Sequence, residues 1–132
     1  MNQESSTTSE QPNRLVILRH HFPDGGNGQF FNHFDLMLQQ DSKLATWQLQ
    51  SLPELGQTVP AKRLPDHREA YLDYEGPVSG GRGSVEQIMA GTFEVCQKND
   101  DCLEVLITSG DENQRLKIVS KSDAVTISRI AT

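Results

Sequence analysis

Four histidines, His20, His21, His33 and His67, carry most of the chemistry that this 132-residue chain can offer. One residue separates His33 from Asp35, so in a strand their side chains share one face. An imidazole and a carboxylate so placed can ligate one ion. A histidine from a neighbouring strand completes a two-histidine, one-carboxylate set that leaves open positions for water and substrate. His20 groups by alternation with Val16 and Leu18, whereas His21 groups with Arg19; the end of that strand decides which histidine faces the site. An exposed His-x-Asp pair on a solvated strand has the same spacing, so the pattern by itself leaves both readings open. Downstream, His67 follows Asp66 and precedes Tyr71 by four residues. A short helix over 67–74 with Asp66 as its N-cap would stack His67 and Tyr71 on one face. An imidazole beside a phenol can bind a phosphate oxygen or shuttle a proton; the plainer alternative is a capped helix with a surface histidine.

Two chemistries compete for these residues. One is metal-assisted phosphoester cleavage, in which an ion polarises the phosphoryl group and activates water. The other is a non-haem iron oxygenase, with His33, Asp35 and a distal His67 as its triad. Arg82-Gly83-Ser84 is similar to the Arg-x-Ser that anchors 2-oxoglutarate in such enzymes. The interval from Asp35 to His67 is short for that family, however.

The elements that must position these residues read as short strands. Leu15-Val16-Ile17-Leu18 is apolar and β-branched and runs into Arg19, His20 and His21. Residues 33–39 alternate: Phe34, Leu36 and Leu38 on one face, His33, Asp35, Met37 and Gln39 on the other. Asp41-Ser42 opens a turn, and Leu44 to Leu49 forms the second half of a hairpin, with Trp47 as a core residue. Pro23 to Gly28 reads as a flexible loop. Ser51 to Asp66, with Pro53, Gly56, Pro60 and Pro65, reads as a long surface loop. Val85–Ala90, Thr92–Cys96, Leu103–Thr108, Leu116–Val119 and Val125–Arg129 read as further strands, with Gly91 and Gly110 marking turns. Seven or eight short strands with little helix predict a mainly β fold, a compact antiparallel barrel with short flanking helices.

The bulk properties bound the reading. A chain of this length with 35% hydrophobic residues holds one small core. Residues 1–12 are polar and rich in Ser, Thr, Glu and Gln; they read as a disordered tail, not a secretory signal, leaving one domain over 13–132. The net charge of −6 argues against non-specific, charge-driven nucleic-acid binding, so contact with DNA or RNA would need a local basic patch or a metal. No apolar stretch is long enough to span a bilayer. Cys96 and Cys102 read as reduced thiols, and a cytoplasmic location is expected.

In order, these motifs resemble the 3′-phosphoesterase domain of bacterial DNA ligase D and its stand-alone relatives. The family pattern takes an apolar strand into Lys-His, then His-aromatic-Asp-aliphatic-Arg-Leu, a Trp, a Pro-rich segment, Asp-His-Pro with a Tyr close behind, and aromatic-Glu-Gly. This chain has Leu15 to His20, then His33 to Leu38, Trp47, Asp66-His67-Arg68, Tyr71 and Tyr74-Glu75-Gly76. A glycine-rich Gly80-Gly81-Arg82-Gly83 follows. The resemblance covers roughly Arg14 to Arg129, with its specific motifs before residue 84. It implies a β-barrel that resects DNA 3′ ends, removing a terminal ribonucleoside and then the 3′-phosphate, with manganese preferred. DNA 3′ ends, and DNA ligase and polymerase repair proteins, are the partners it implies. It also implies His20, His33 and Asp35 as metal ligands, His67 on the scissile phosphate and Tyr71 completing the site. The chain departs from the pattern where the family arginine becomes Met37 and where Gln50-Ser51-Leu52-Pro53 replaces a lysine-bearing segment. Arg19 and Arg82 are the candidate phosphate contacts in compensation. A relative that keeps the metal or the end-binding surface without catalysis is the alternative these departures favour.

Overall fold

The structure, a computed structural model, describes residues 13–22, 26–27 and 30–132. The expected disordered tail over 1–12 lies outside these residues, as do 23–25 and 28 of the expected loop. The strands are β1 (Asn13–His21), β2 (Gly26–Asn27), β3 (Phe30–Phe31), β4 (His33–Gln40), β5 (Lys43–Leu49), β6 (Thr58–Arg68), β7 (Gly76–Pro77), β8 (Ser84–Lys98), β9 (Cys102–Ser109), β10 (Glu112–Lys121) and β11 (Ala124–Ile130). Strands β2 and β3 pair only with each other. The others form one antiparallel sheet in the order β9-β10-β11-β6-β5-β4-β1-β8-β7, and β8 also pairs with β9. That last pairing closes eight strands into a barrel, with β7 as an extra strand on β8. The expected mainly β barrel is the observed fold. The flanking helices reduce, among the described residues, to one 3-10 turn at Glu69–Leu72. No helix among them is long and apolar enough to cross a membrane.

Closure rests on β8. Its 15 residues pair with β1 over Ser84–Phe93 and with β9 over Thr92–Lys98. Gly91 therefore lies inside a strand, and the two strands expected on either side of it are one. A Cβ there would sit 2.1 Å from the Thr108 carbonyl oxygen, so glycine allows the close approach of β9. Gly110 is a turn as expected, with φ at +60°.

The expected loop over 51–66 is also partly strand. Thr58–Arg68 pairs with β5 on one side and β11 on the other. The register slips between Leu44, opposite His67, and Thr46, opposite Leu64. The extra residue on β6 bulges at Pro65-Asp66, where a proline, lacking an N–H, breaks no ladder bond. The strand thus runs through Asp66 and His67, and the expected helix over 67–74 is replaced by the 3-10 turn. Arg68 precedes that turn without a side-chain cap bond, while Asp66 accepts from Arg63 at 2.9 Å.

Both faces of β1 and β4 are buried. Inward, Leu15, Ile17, Leu36, Leu38 and Trp47 join the barrel core with Phe93, Ile107 and Ile127. Outward, Val16, Leu18 and Met37 form a second cluster with Leu44, Leu72 and Val85, edged by Tyr71 and Val78. The segment 69–83, which touches the sheet only through β7, folds back over the outer wall to make that cluster. It is tied down by Arg14–Asp73 (2.7 Å), by the Gln39 amide on Glu69 (2.8 Å) and by the Gln87 amide on the Leu72 carbonyl (2.7 Å). Cys96 and Cys102 are free thiols.

Gly91→Ala is expected to lower unfolding stability by about 3 kcal/mol, because the displaced neighbour is backbone. Gly110→Ala, in open space, should cost only about 1 kcal/mol of φ strain. Urea denaturation of the two variants checks the ranking; an equal cost would contradict the closure described here.

Candidate metal centre

The register of β1 and β4 builds the site. His20 lies opposite His33, and Leu18 opposite Asp35. Alternation turns His20, His33 and Asp35 outward, onto the wall covered by residues 69–83. His20, not His21, is the histidine that faces them. The three side chains offer donor atoms that all lie within 4.8 Å of one another. Donors bound to one ion at ~2.1 Å can be at most ~4.2 Å apart, so a small inward adjustment of the side chains completes coordination.

The electrostatics suit a cation. Asp35 is 4% exposed, and its Oδ1 has no hydrogen-bond partner, although His33 Nε2 approaches it to 3.3 Å. Its Oδ2 stands 4.0 Å from His20 Nδ1. A buried carboxylate oxygen without a hydrogen bond is costly, and a bound cation removes that cost. The residues therefore fit a divalent ion. His20 Nε2 donates to the Arg82 carbonyl, which fixes the tautomer and leaves Nδ1 as the lone pair facing Asp35. Burial, first of all, holds the His20 pKa below its usual value; His33 and the Arg82 charge act in the same direction. The neutral imidazole needed for ligation is thereby favoured.

Two features escaped the sequence reading. Phe22 stacks on His20 with ring centroids 4.7 Å apart and planes 11° apart, walling one side of the site. The backbone of the glycine-rich turn, rather than a side chain, orients a ligand. Gly83 is required there: its φ is +76°, and a Cβ would lie 2.2 Å from the His21 carbonyl oxygen. An aromatic directly after His20-His21 was the available signal for the first; nothing in composition signals the second.

The His67–Tyr71 pair, which the resemblance would place on phosphate, lies apart from the triad. His67 meets Tyr71 edge-on, centroids 5.7 Å apart, as the sequence spacing suggested, although through a strand end and a 3-10 turn. His67 Nδ1 also contacts the Pro65 carbonyl at 2.9 Å. In register, His67 is level with Leu44 and Gln39, four residues along β4 from Asp35, or roughly 13 Å of strand. Between them lies Met37, 1% exposed, in the outer apolar cluster that Tyr71 edges. Position 37, where the resemblance calls for arginine, is thus an apolar floor between the triad and the His67–Tyr71 pair. Arg19 alternates onto the face opposite His20 and pairs with Glu86 at 3.0 Å, so it does not point to the triad. Arg82 does stand near it, its guanidinium braced on the Ser79 carbonyl at 2.8 Å. The oxygenase reading required His67 as the distal ligand, and His67 is not among the residues that gather at His33 and Asp35.

No protein-family model matches this chain, and no curated protein matches it.

Two outcomes follow from this geometry. Below about pH 6.5 the unfolded chain takes up a proton that His20 in the fold resists, so stability falls as pH drops through that value and on through the lowered folded pKa. Replacing His20 by Gln should flatten this acid limb in denaturation curves taken from pH 5 to 7.5. Met37→Arg buries a guanidinium in an apolar cluster and should lower stability by about 2–4 kcal/mol. A variant as stable as the parent would show that the floor yields to a charge.

Proposed function

We propose that this chain is a divalent-metal-dependent, phosphoesterase-like protein that acts on nucleic-acid 3′ ends carrying a terminal ribonucleoside or phosphate. The observation that supports this reading most is the convergence of His20, His33 and Asp35 around a buried carboxylate whose Oδ1 accepts no hydrogen bond and stands 3.3 Å from His33 Nε2. Their order is that of the ligase D phosphoesterase pattern. Manganese, or another divalent transition metal, suits two imidazoles and one carboxylate. When bound, such an ion supplies Lewis-acid polarisation of a phosphoryl oxygen and a water of lowered pKa.

The chain's own residues do the rest. Asp35 contributes the negative charge that sets affinity for the ion. The Arg82 carbonyl keeps His20 in its ligating tautomer, and Phe22 keeps water from one flank. The Arg82 guanidinium, close by on the same turn, is the cation that can meet a phosphate oxygen where Met37 cannot. His67 and Tyr71, farther along the wall, can hold the neighbouring part of the substrate by an imidazole and a phenol. The formal charge of −6 makes a local, metal-centred attraction necessary for an anionic substrate.

One specific observation favours a second reading, a module that binds ends without cutting them. Met37 is fully buried in apolar company. Loss of a charged phosphate contact that acts in the transition state costs ~10²-fold or more in rate.

Incubation with a manganese salt and a primer-template ending in one ribonucleotide separates the two. The first reading predicts shortening to a 3′-phosphate and then a 3′-hydroxyl, reduced ~10²-fold or more by Asp35→Asn. Manganese-dependent binding of the end without product supports the second. Neither product nor metal-dependent binding would sink both.

A further inference from the structure

One end of the barrel carries a feature that the outer site does not use. A cavity of about 250 Å³ opens at the end of the barrel beneath the 51–57 segment. Its inner wall includes Ile17, Leu36 and Ile127, which are core residues. Its rim carries Glu54, Gln114 and Arg129. The cavity is open to solvent on one side. The mouths of barrels are recurrent sites for small ligands held by an apolar wall and a few placed polar groups.

Arg129 specifies the ligand's charge. It pairs across the sheet with Leu116, which is buried in the core, and it follows Ile127 by two residues, so it belongs to the inward face. Its backbone is held on both sides: its N–H donates to Gln57 O at 3.1 Å, and its carbonyl accepts from Gly56 N–H at 2.8 Å. Among the described residues its guanidinium makes no hydrogen bond or ion pair. Glu54, the one acidic residue lining the cavity, is exposed to solvent, which weakens its field inside.

We infer that this cavity is a second binding site, separate from the metal centre, for a small apolar monocarboxylate whose chain lies against the apolar wall of the cavity and whose carboxylate meets Arg129. The inference is independent of the phosphoesterase reading.

Octanoate is a suitable probe, with octanol and octylammonium as matched ligands lacking the negative charge. Trp47 is the chain's one tryptophan; it lies in the core opposite Leu36 in the ladder, so its fluorescence reports occupancy. Octanoate should change that emission saturably and raise the melting temperature. Arg129→Met should weaken octanoate about tenfold or more while leaving octanol unchanged. Glu54→Gln should tighten octanoate modestly. Absence of saturable binding, equal binding of octanoate and octanol, or preference for octylammonium would each overturn the inference. Should Arg129→Met fail to fold, methyl NMR of the parent chain decides instead: octanoate must shift the Ile17 and Ile127 signals and spare exposed Ile88. Shifts confined to Ile88, or none, would refute it.

Discussion

A sheet wall buried on both faces is the constraint on which this structure depends. Strands β1 and β4 present apolar residues inward to the barrel core and outward to a second cluster. The outer face can be apolar only because residues 69–83 fold back over it. That covering segment is held by side-chain bonds from Arg14, Gln39 and Gln87, all on strands of the wall. It turns at Gly83, which no larger residue could replace without meeting the His21 carbonyl. Burial of the histidine–aspartate cluster is a consequence of the same cover. Without it, His20 would lose the Arg82 carbonyl and Asp35 would gain water.

The wall also explains why the His20–His33–Asp35 cluster and the His67–Tyr71 pair lie apart. At its upper end the outward residues are His20 opposite His33 and Leu18 opposite Asp35. One step further down they are Val16 and Met37, and only beyond these does His67 appear. An arginine at position 37 would have joined the two ends into one charged strip. Methionine instead knits the covering segment to the wall, which favours order over anion binding. In the proposed function, recognition of an anionic end then falls to the ion and to Arg82 on the turn.

Much of this was legible in the sequence. The run Leu15 to Leu18, unbroken by polar residues, is the mark of a strand covered on both faces. The alternation over 33–39 assigned Asp35 and Met37 to one side, and the structure keeps them there. Trp47 is a core residue as expected. The differences share a physical cause: prolines and glycines signal breaks in sequence, and here the neighbouring strands make them strand. Pro65 sits at a bulge, and Gly91 permits a close strand crossing that only the partner strand reveals. Likewise Asp66 has the spacing of a helix cap, but Arg63 offered it a better partner within the strand. Contacts made by backbone atoms, such as the Arg82 carbonyl on His20, have no residue-type signature at all.

The most direct test of the central claim is anomalous diffraction from crystals soaked in a manganese salt near neutral pH. A single strong peak is predicted between His20 Nδ1, His33 Nε2 and Asp35, with the Arg82 carbonyl still on His20 Nε2. The contradicting result is a peak elsewhere, for example at His67 and Asp66, or no peak at the triad at millimolar manganese.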